Sequence, residues 1–86
     1  MEIEFMVMRA NGWTISPPRE DGSIRVTRQA VALARGVTLE FEVIAPTEGD
    51  WTVSFSSSNG HSHTESGPRG DIASRAVAWA HRVASS

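Results

Sequence analysis

The chain has 86 residues and contains no cysteine, which excludes disulfide bonds and metal sites built on thiolates. Its apolar runs are far shorter than the ~20 residues that a membrane-spanning helix needs. Glu2 and Glu4 stand near the N-terminus, where a secretion signal carries positive charge, so export by that route is not expected. We therefore predict a cytoplasmic protein that does not associate with a membrane.

Lysine is also absent, so arginine supplies all 8 basic residues against 10 acidic ones, and the net charge is −2. Non-specific binding to nucleic acid depends on a basic surface, which this composition does not favour. Hydrophobic residues make up 40% and charged residues 21% of the chain, as in ordinary globular domains. At this length the chain fits one domain, and either half alone is too short to bury a dependable core.

The strongest pattern in the sequence is an internal repeat. Three blocks recur in the same order, and the most alike are QAVALARGV and RAVAWAHRV, which share their alanine and valine positions. The matched blocks are residues 3–8 with 39–44, 13–16 with 51–54, and 29–37 with 75–83. A repeat of this kind predicts two similar structural units that share one core.

The first unit is predicted to begin with three strands. Residues 2–8 alternate with period two, which is typical of a half-buried strand, and Asn11-Gly12 favours a hairpin turn after it. A short second strand begins at Trp13. Asp21-Gly22 then marks another turn before a third strand at residues 24–26.

A helix is predicted to close the first unit. Residues 28–35 are strong helix formers with apolar residues at helical spacing. The Thr27 hydroxyl is suited to capping the start of this helix, and Gly36 stands where a helix-ending glycine belongs. The first unit, residues 1–36, is therefore predicted to have the order strand, strand, strand, helix (βββα).

The second unit, residues 37–86, is predicted to repeat this order. Residues 37–44 alternate between apolar and polar side chains, and a second alternating strand begins at Trp51. The turn between them, residues 46–50, is rich in residues that break strands. The third strand, at residues 61–65, is polar.

The helix that closes the second unit is predicted to be capped by Asp71 and to run to about Ala84. Asp71 and Arg75 are spaced for a favourable pair on one side of the helix. The alanine-rich inner side lets the helix lie close to the sheet. The predicted buried stripe is Ile72, Ala76, Trp79, Ala80 and Val83.

Together these patterns predict the α+β class. We expect a single domain over residues 1–86, made of two tandem pseudo-symmetric βββα units, with an antiparallel sheet and both helices packed on one side of it. The sequence leaves open whether the halves join as one continuous sheet or as two packed sheets.

The second unit also carries residue types found in known families. Trp51 opens a strand, Asn59-Gly60 marks the next turn, and Ala76, Ala78 and Trp79 lie on the closing helix. With these features each half resembles the βββα unit of HicB-like antitoxin domains, and it also resembles the arm-binding domain of tyrosine recombinases. The first resemblance implies a regulator that engages another protein, and the second implies a sheet that lies in a DNA groove.

The predicted binding surface is the sheet face that points away from the helices. Methionine there offers adaptable apolar contacts, and the glutamates supply an acidic rim. The candidate binding residues are Met6, Met8, Ile44, Glu4, Glu40 and Glu42. Carboxylates in these positions would oppose the approach of phosphate oxygens, so we expect a protein partner, with a second copy of the chain as an alternative occupant.

His61 and His63 are the candidate metal ligands, because residues at i and i+2 of a strand share a face. Glu65, Asp71 or His81 would be the third ligand. This stretch is rich in serine and glycine and has no carboxylate at a defined spacing, so we favour exposed histidines that bind no metal. No nucleophile-elbow glycine pattern accompanies the serines, and no catalytic residue or cofactor is predicted.

The sequence thus predicts a small non-enzymatic protein-binding module. It would act as a regulator or inhibitor of the antitoxin type, or of the type that phages and plasmids encode, through direct protein contact. The alternative is a protein that binds nucleic acid with its sheet.

Overall fold

The computed structural model describes residues 2–85 and contains one antiparallel sheet of five strands with two helices. The elements in chain order are α1 (Ile3–Ala10), β1 (Thr14–Ile15), β2 (Ile24–Ala32), β3 (Val37–Ala45), β4 (Trp51–Ser57), β5 (Ser62–Gly67) and α2 (Arg69–Ala84). Each strand pairs with its neighbours in sequence, so the sheet order is β1-β2-β3-β4-β5. The predicted α+β class is confirmed, and the two halves form one continuous sheet.

Both helices pack on the same face of this sheet. The register aligns Val26, Val43 and Val53 in one row across the three central strands, and all three are fully buried. Phe5 of α1 and Ile72 of α2 belong to the same buried cluster. The largest fully buried side chains are Trp51, Phe41, Met8, Ile72, Val26, Val43 and Val53.

Residues 3–10 form a helix, so the strand predicted over residues 2–8 is wrong. The alternation was misleading because apolar side chains stand at both phases of the period. The same stretch also has Phe5 and Met8 at i and i+3, and these are the buried residues of α1. Glutamate and methionine are good helix formers, and packing of the Phe5 side against the core stabilises the helix.

Asn11-Gly12 ends α1 and does not form a hairpin turn. The Gly12 N–H donates to the Arg9 carbonyl at 3.1 Å, and the Trp13 N–H donates to the Met8 carbonyl at 3.0 Å. This is the Schellman arrangement of a helix C-terminus. Gly12 has φ +90°, which glycine adopts without a steric penalty, and Trp13 is then placed in the core.

The helix predicted at residues 28–35 is also wrong, because β2 continues to Ala32. All nine residues of β2 pair with residues of β3, and this ladder outweighs the modest helix preference of alanine. Val26, Ala30 and Ala32 are buried at period two. A short 3-10 turn follows, and Gly36, with φ +64°, closes it in the left-handed region.

The order strand, strand, strand, helix predicted for residues 37–86 is observed as β3, β4, β5 and α2. The predicted cap at Asp71 is wrong, since the N-cap residue is Pro68, three residues earlier, and no side chain caps the helix. Arg75 forms its ion pair with Glu65 of β5, not with Asp71. The close approach of an alanine-rich helix is observed, because Ala73, Ala76 and Ala80 are buried against the sheet.

The tandem repeat of two βββα units is therefore not confirmed. Residues 2–36 form a helix, a two-residue strand and a long strand followed by a short 3-10 turn, and among the described residues only the second unit has the predicted order. Among residues 2–85, neither helix combines the length and apolar character that crossing a bilayer requires.

Candidate interaction surfaces

The sheet face that points away from the helices, here called the open face, is rich in hydroxyl groups. Side chains alternate along a strand, so Glu40, Glu42 and Ile44 point to this face while Phe41 and Val43 point to the core. Four cross-strand pairs on the open face join two hydroxyl-bearing residues: Thr14–Thr27, Thr52–Ser66, Ser54–Thr64 and Ser56–Ser62. The surface offers many hydrogen-bonding groups and little apolar area.

A shallow depression of about 670 Å³ lies on the open face. Arg25, Arg28, Glu40 and Glu42 are among the residues that line it. Arg28 pairs with Phe41 and so belongs to the core-facing row, which leaves Arg25 as the arginine that shares the open face with these two carboxylates. Arg25 forms an ion pair with Glu42, which neutralises that arginine within the chain. The depression suits a polar ligand, but it has no row of free cations for a phosphate backbone.

The six candidate binding residues do not form one surface. Ile44, Glu40 and Glu42 lie on the open face as predicted. Glu4, Met6 and Met8 lie on α1, which packs on the opposite face of the sheet, so their assignment to the open face is wrong. The prediction failed because it treated residues 2–8 as a strand equivalent to β3.

Met8 is completely buried, so it is a core residue and not a contact residue. Its main-chain carbonyl accepts the hydrogen bond that ends α1, and its side chain belongs to the main buried cluster. The sequence contained a signal for this role, because Phe5 and Met8 have the i, i+3 spacing of one helical face.

An apolar surface that the sequence did not predict lies on the outer side of α1. Ile3, Met6 and Val7 are 70%, 56% and 45% exposed. Their i, i+3, i+4 spacing places them on one side of the helix, opposite Phe5 and Met8. We call these three residues the α1 stripe. It is visible only once residues 3–10 are known to be helical.

The two candidate metal ligands occupy different environments. His61 lies in the turn before β5 and accepts a hydrogen bond at its carbonyl from the Ser57 N–H at 2.8 Å. The His63 ring lies 5.9 Å from the Phe55 ring and 5.8 Å from the Trp79 ring, measured between centroids. His63 is also hydrogen bonded to Glu65 at 2.9 Å. Residues 2–85 contain no group of three or more histidine, aspartate or glutamate side chains arranged to hold a metal ion.

Glu65 connects β5 to α2. One carboxylate oxygen bonds to His63 and the other accepts from Arg75. The hydrogen bond with His63, supported by the Arg75 charge and opposed in part by desolvation, lowers the pKa of Glu65 below its ordinary value of 4.5. This network holds the helix-facing side of β5 against α2.

No family model, curated protein or solved structure matches the chain. The comparisons therefore add nothing to the resemblance to HicB-like or arm-binding domains.

Proposed function

We propose that the chain is a small non-enzymatic protein-binding module and that the α1 stripe is its contact surface. The observation that carries this proposal is the exposure of Ile3, Met6 and Val7, at 70%, 56% and 45%. Large apolar side chains that share one side of a helix and remain in water are typical of protein-binding surfaces. Methionine at the centre of the stripe adapts to partners of varied shape.

The partner should present an apolar groove or an amphipathic helix to α1. Helical geometry places Glu4 on one flank of the α1 stripe and Arg9 on the other. A partner with a basic group facing Glu4 and an acidic group facing Arg9 would fix the direction of docking. This is the helix-in-groove form of recognition, in which i, i+3 and i+4 residues act as anchors.

A role as a regulator or inhibitor belongs to the same proposal. A domain of this size has little room for a catalytic cleft. It can still inhibit a partner by filling a groove on that partner's surface. The resemblance to HicB-like antitoxin domains, and the alternative of a phage-type or plasmid-type inhibitor, are consistent with action by direct contact.

The test is a binding measurement with variants of the stripe. Proteins captured by the immobilised chain would be identified and purified, and their affinities measured by calorimetry. Met6→Asp and Val7→Asp place a charge in the apolar contact while leaving the core intact, and each should weaken binding by about tenfold or more. Met8→Asp is unsuitable, because a charge at a fully buried position would unfold the chain.

Two control variants make the result specific. Leu33 is 83% exposed and lies outside α1, so Leu33→Asp should leave the affinity unchanged. Ile44→Asp alters the open face. Wild-type affinity in both stripe variants would overturn the proposal, and loss of binding with Ile44→Asp alone would assign the contact to the open face.

The alternative proposal is that the open face binds nucleic acid. The depression of about 670 Å³ with its hydroxyl, amide and arginine lining favours a polar ligand. The carboxylates of Glu40 and Glu42 count against phosphates. Titration with single-stranded and duplex DNA at low salt, where charge attraction is strongest, decides the point. Absence of binding under these conditions would eliminate this alternative.

A further inference from the structure

β5 is the last strand of the sheet, and its outer edge is open. The Ser57 N–H donates to the His61 carbonyl, so this pair is hydrogen bonded in the β4–β5 ladder. Hydrogen-bonded and non-hydrogen-bonded pairs alternate along antiparallel strands. The backbone N–H and C=O groups of Ser62, Thr64 and Ser66 therefore point away from β4, and no further strand within residues 2–85 pairs with them.

β5 carries one charged side chain, Glu65, which points to the helix side and is neutralised there by Arg75, so the edge is only weakly protected. Its pairing with β4 is continuous from Ser62 to Gly67, so it contains no bulge. It has no lysine or proline, the residues that natural sheets use to block edge-to-edge contacts. Ser62, His63, Thr64 and Ser66 are all exposed. The edge is thus available as a template for another strand.

We propose that β5 pairs with β5 of a second copy of the chain, antiparallel and centred on Thr64. The segment Ser-His-Thr-Glu-Ser is complementary to itself in this register. The resulting pairs are Ser62 with Ser66, His63 with Glu65, Thr64 with Thr64, Glu65 with His63 and Ser66 with Ser62. This contact uses a different surface from the α1 stripe and does not depend on the function proposed above.

The backbone geometry agrees with this register. The pairs formed by Ser62, Thr64 and Ser66 join the residues whose N–H and C=O groups already point outward, so each pair exchanges two hydrogen bonds. His63 and Glu65 then face each other in non-hydrogen-bonded pairs, where side chains approach most closely. A register shifted by one residue would lose both the outward-facing backbone groups and the histidine–carboxylate pairs.

The charges favour a second copy over an unrelated peptide. On the helix side, the Glu65 of each copy already bonds to its own His63 and is neutralised by its own Arg75, and the His63 of the other copy would share the same carboxylate. On the open face the contact consists of serine and threonine alone, so no like charges oppose each other. The resulting sheet has the β5 strands of both copies at its centre.

Sedimentation of the wild-type chain over a series from about 10 µM to about 1 mM should show self-association. The series extends to high concentration because a single strand pair buries less area than a standard interface, so the expected affinity is low. Thr64→Pro removes an outward N–H without touching the β4 ladder and should weaken association at least tenfold. Gln29→Pro is the matched control. Gln29 has an outward N–H on the other edge of the sheet by the same alternation, since Ser16 bonds to Arg25 there.

A charge exchange supplies the second test. His63→Glu places a carboxylate opposite Glu65 of the second copy and should weaken association, whereas His63→Glu combined with Glu65→His restores complementary pairs and should recover it. Circular dichroism confirms the fold of each variant. The proposal is overturned if the wild-type chain is monomeric at every concentration in the series. It is also overturned if the Thr64→Pro variant associates as strongly as the wild type. Loss of association in Gln29→Pro with no loss in Thr64→Pro would also overturn it and assign the contact to β2.

Discussion

Phe5 of α1 stacks on Trp51 of β4, with ring centroids 5.1 Å apart and ring planes at 29°. The guanidinium of Arg69, at the start of α2, lies 5.7 Å from the centre of the Trp51 ring. Arg69 also pairs with Glu2, next to α1. Trp51 therefore joins both helices to the sheet at one point.

Loss of the Phe5 ring should release α1 from the sheet. Phe5→Ala is expected to lower the free energy of unfolding by about 3–5 kcal/mol, because the ring is buried and a cavity would remain. Met6→Ala, one residue away on the exposed side, should change it by no more than about 0.5 kcal/mol. Urea denaturation measures both. Equal effects of the two substitutions would contradict the assignment of the buried side of α1.

The left-handed glycine after α1 should resist substitution. Gly12→Ala is expected to destabilise the chain by about 1–2 kcal/mol, because φ +90° is strained for a residue with a Cβ atom. Gly70 lies in the first turn of α2, and a Cβ there would meet nothing within 4 Å. Gly70→Ala should therefore stabilise the chain by about 0.5–1 kcal/mol. Thermal unfolding of the pair checks the prediction, which fails if both substitutions have the same sign.

The carboxylate of Glu65 should make stability depend on acid pH. Its pKa is lower in the folded chain than its ordinary value of 4.5, so it contributes stability above that pH and loses the contribution as pH falls through the lowered pKa. The pKa of Asp21 is lowered in the same direction by hydrogen bonds from Ser23. The urea midpoint should fall between about pH 5 and pH 3, and Glu65→Gln should reduce that fall. A variant combining Glu65→Gln with Asp21→Asn should reduce it further; an undiminished fall in both would refute the prediction.

Trp79 should determine the environment of His63. Its ring lies 5.8 Å from both the Phe55 and the His63 rings. Trp79→Ala is expected to cost about 2–3 kcal/mol, since the side chain is half-buried, and to move the His63 imidazole resonances. The resonances of His61, whose ring contacts no aromatic ring within residues 2–85, should stay in place. A His63 spectrum unchanged by the substitution would show that the ring cluster does not form in solution.

The second half of the chain was predictable because its local signals are unambiguous. Along β3 the residues Leu39, Phe41 and Val43 alternate with polar neighbours, so period two decides the structure. In α1 apolar residues occupy both odd and even positions, so period two does not separate a strand from a helix there. The helix is evident from the burial of Phe5 and Met8, which are spaced i, i+3. β2 is stabilised as a strand by its hydrogen-bonded ladder with β3. That interaction is non-local, so the sequence of β2 alone does not predict it.

The sequence predicted the candidate surface residues correctly only where it also predicted the secondary structure correctly. Glu40, Glu42 and Ile44 share a face because β3 is a strand, as expected. The α1 stripe could not be found while residues 2–8 were treated as a strand, since that geometry places Met6 and Val7 on opposite faces. The contact of His63 with Trp79 joins two separate elements, so no spacing rule within the sequence predicts it.

The two edges of the sheet differ, and the proposed β5–β5 pairing would use only one of them. β1 pairs only with Val26 and Thr27, so the rest of β2 is a second edge without a strand neighbour among residues 2–85. If β5 of one copy joined β2 of the next, the contact would be heterologous, and each addition would leave the same two edges for a growing filament. The isologous β5–β5 contact closes instead, because it consumes the same edge on both copies. A self-complementary β5 thus favours a finite pair and removes the edge on which a head-to-tail filament would grow.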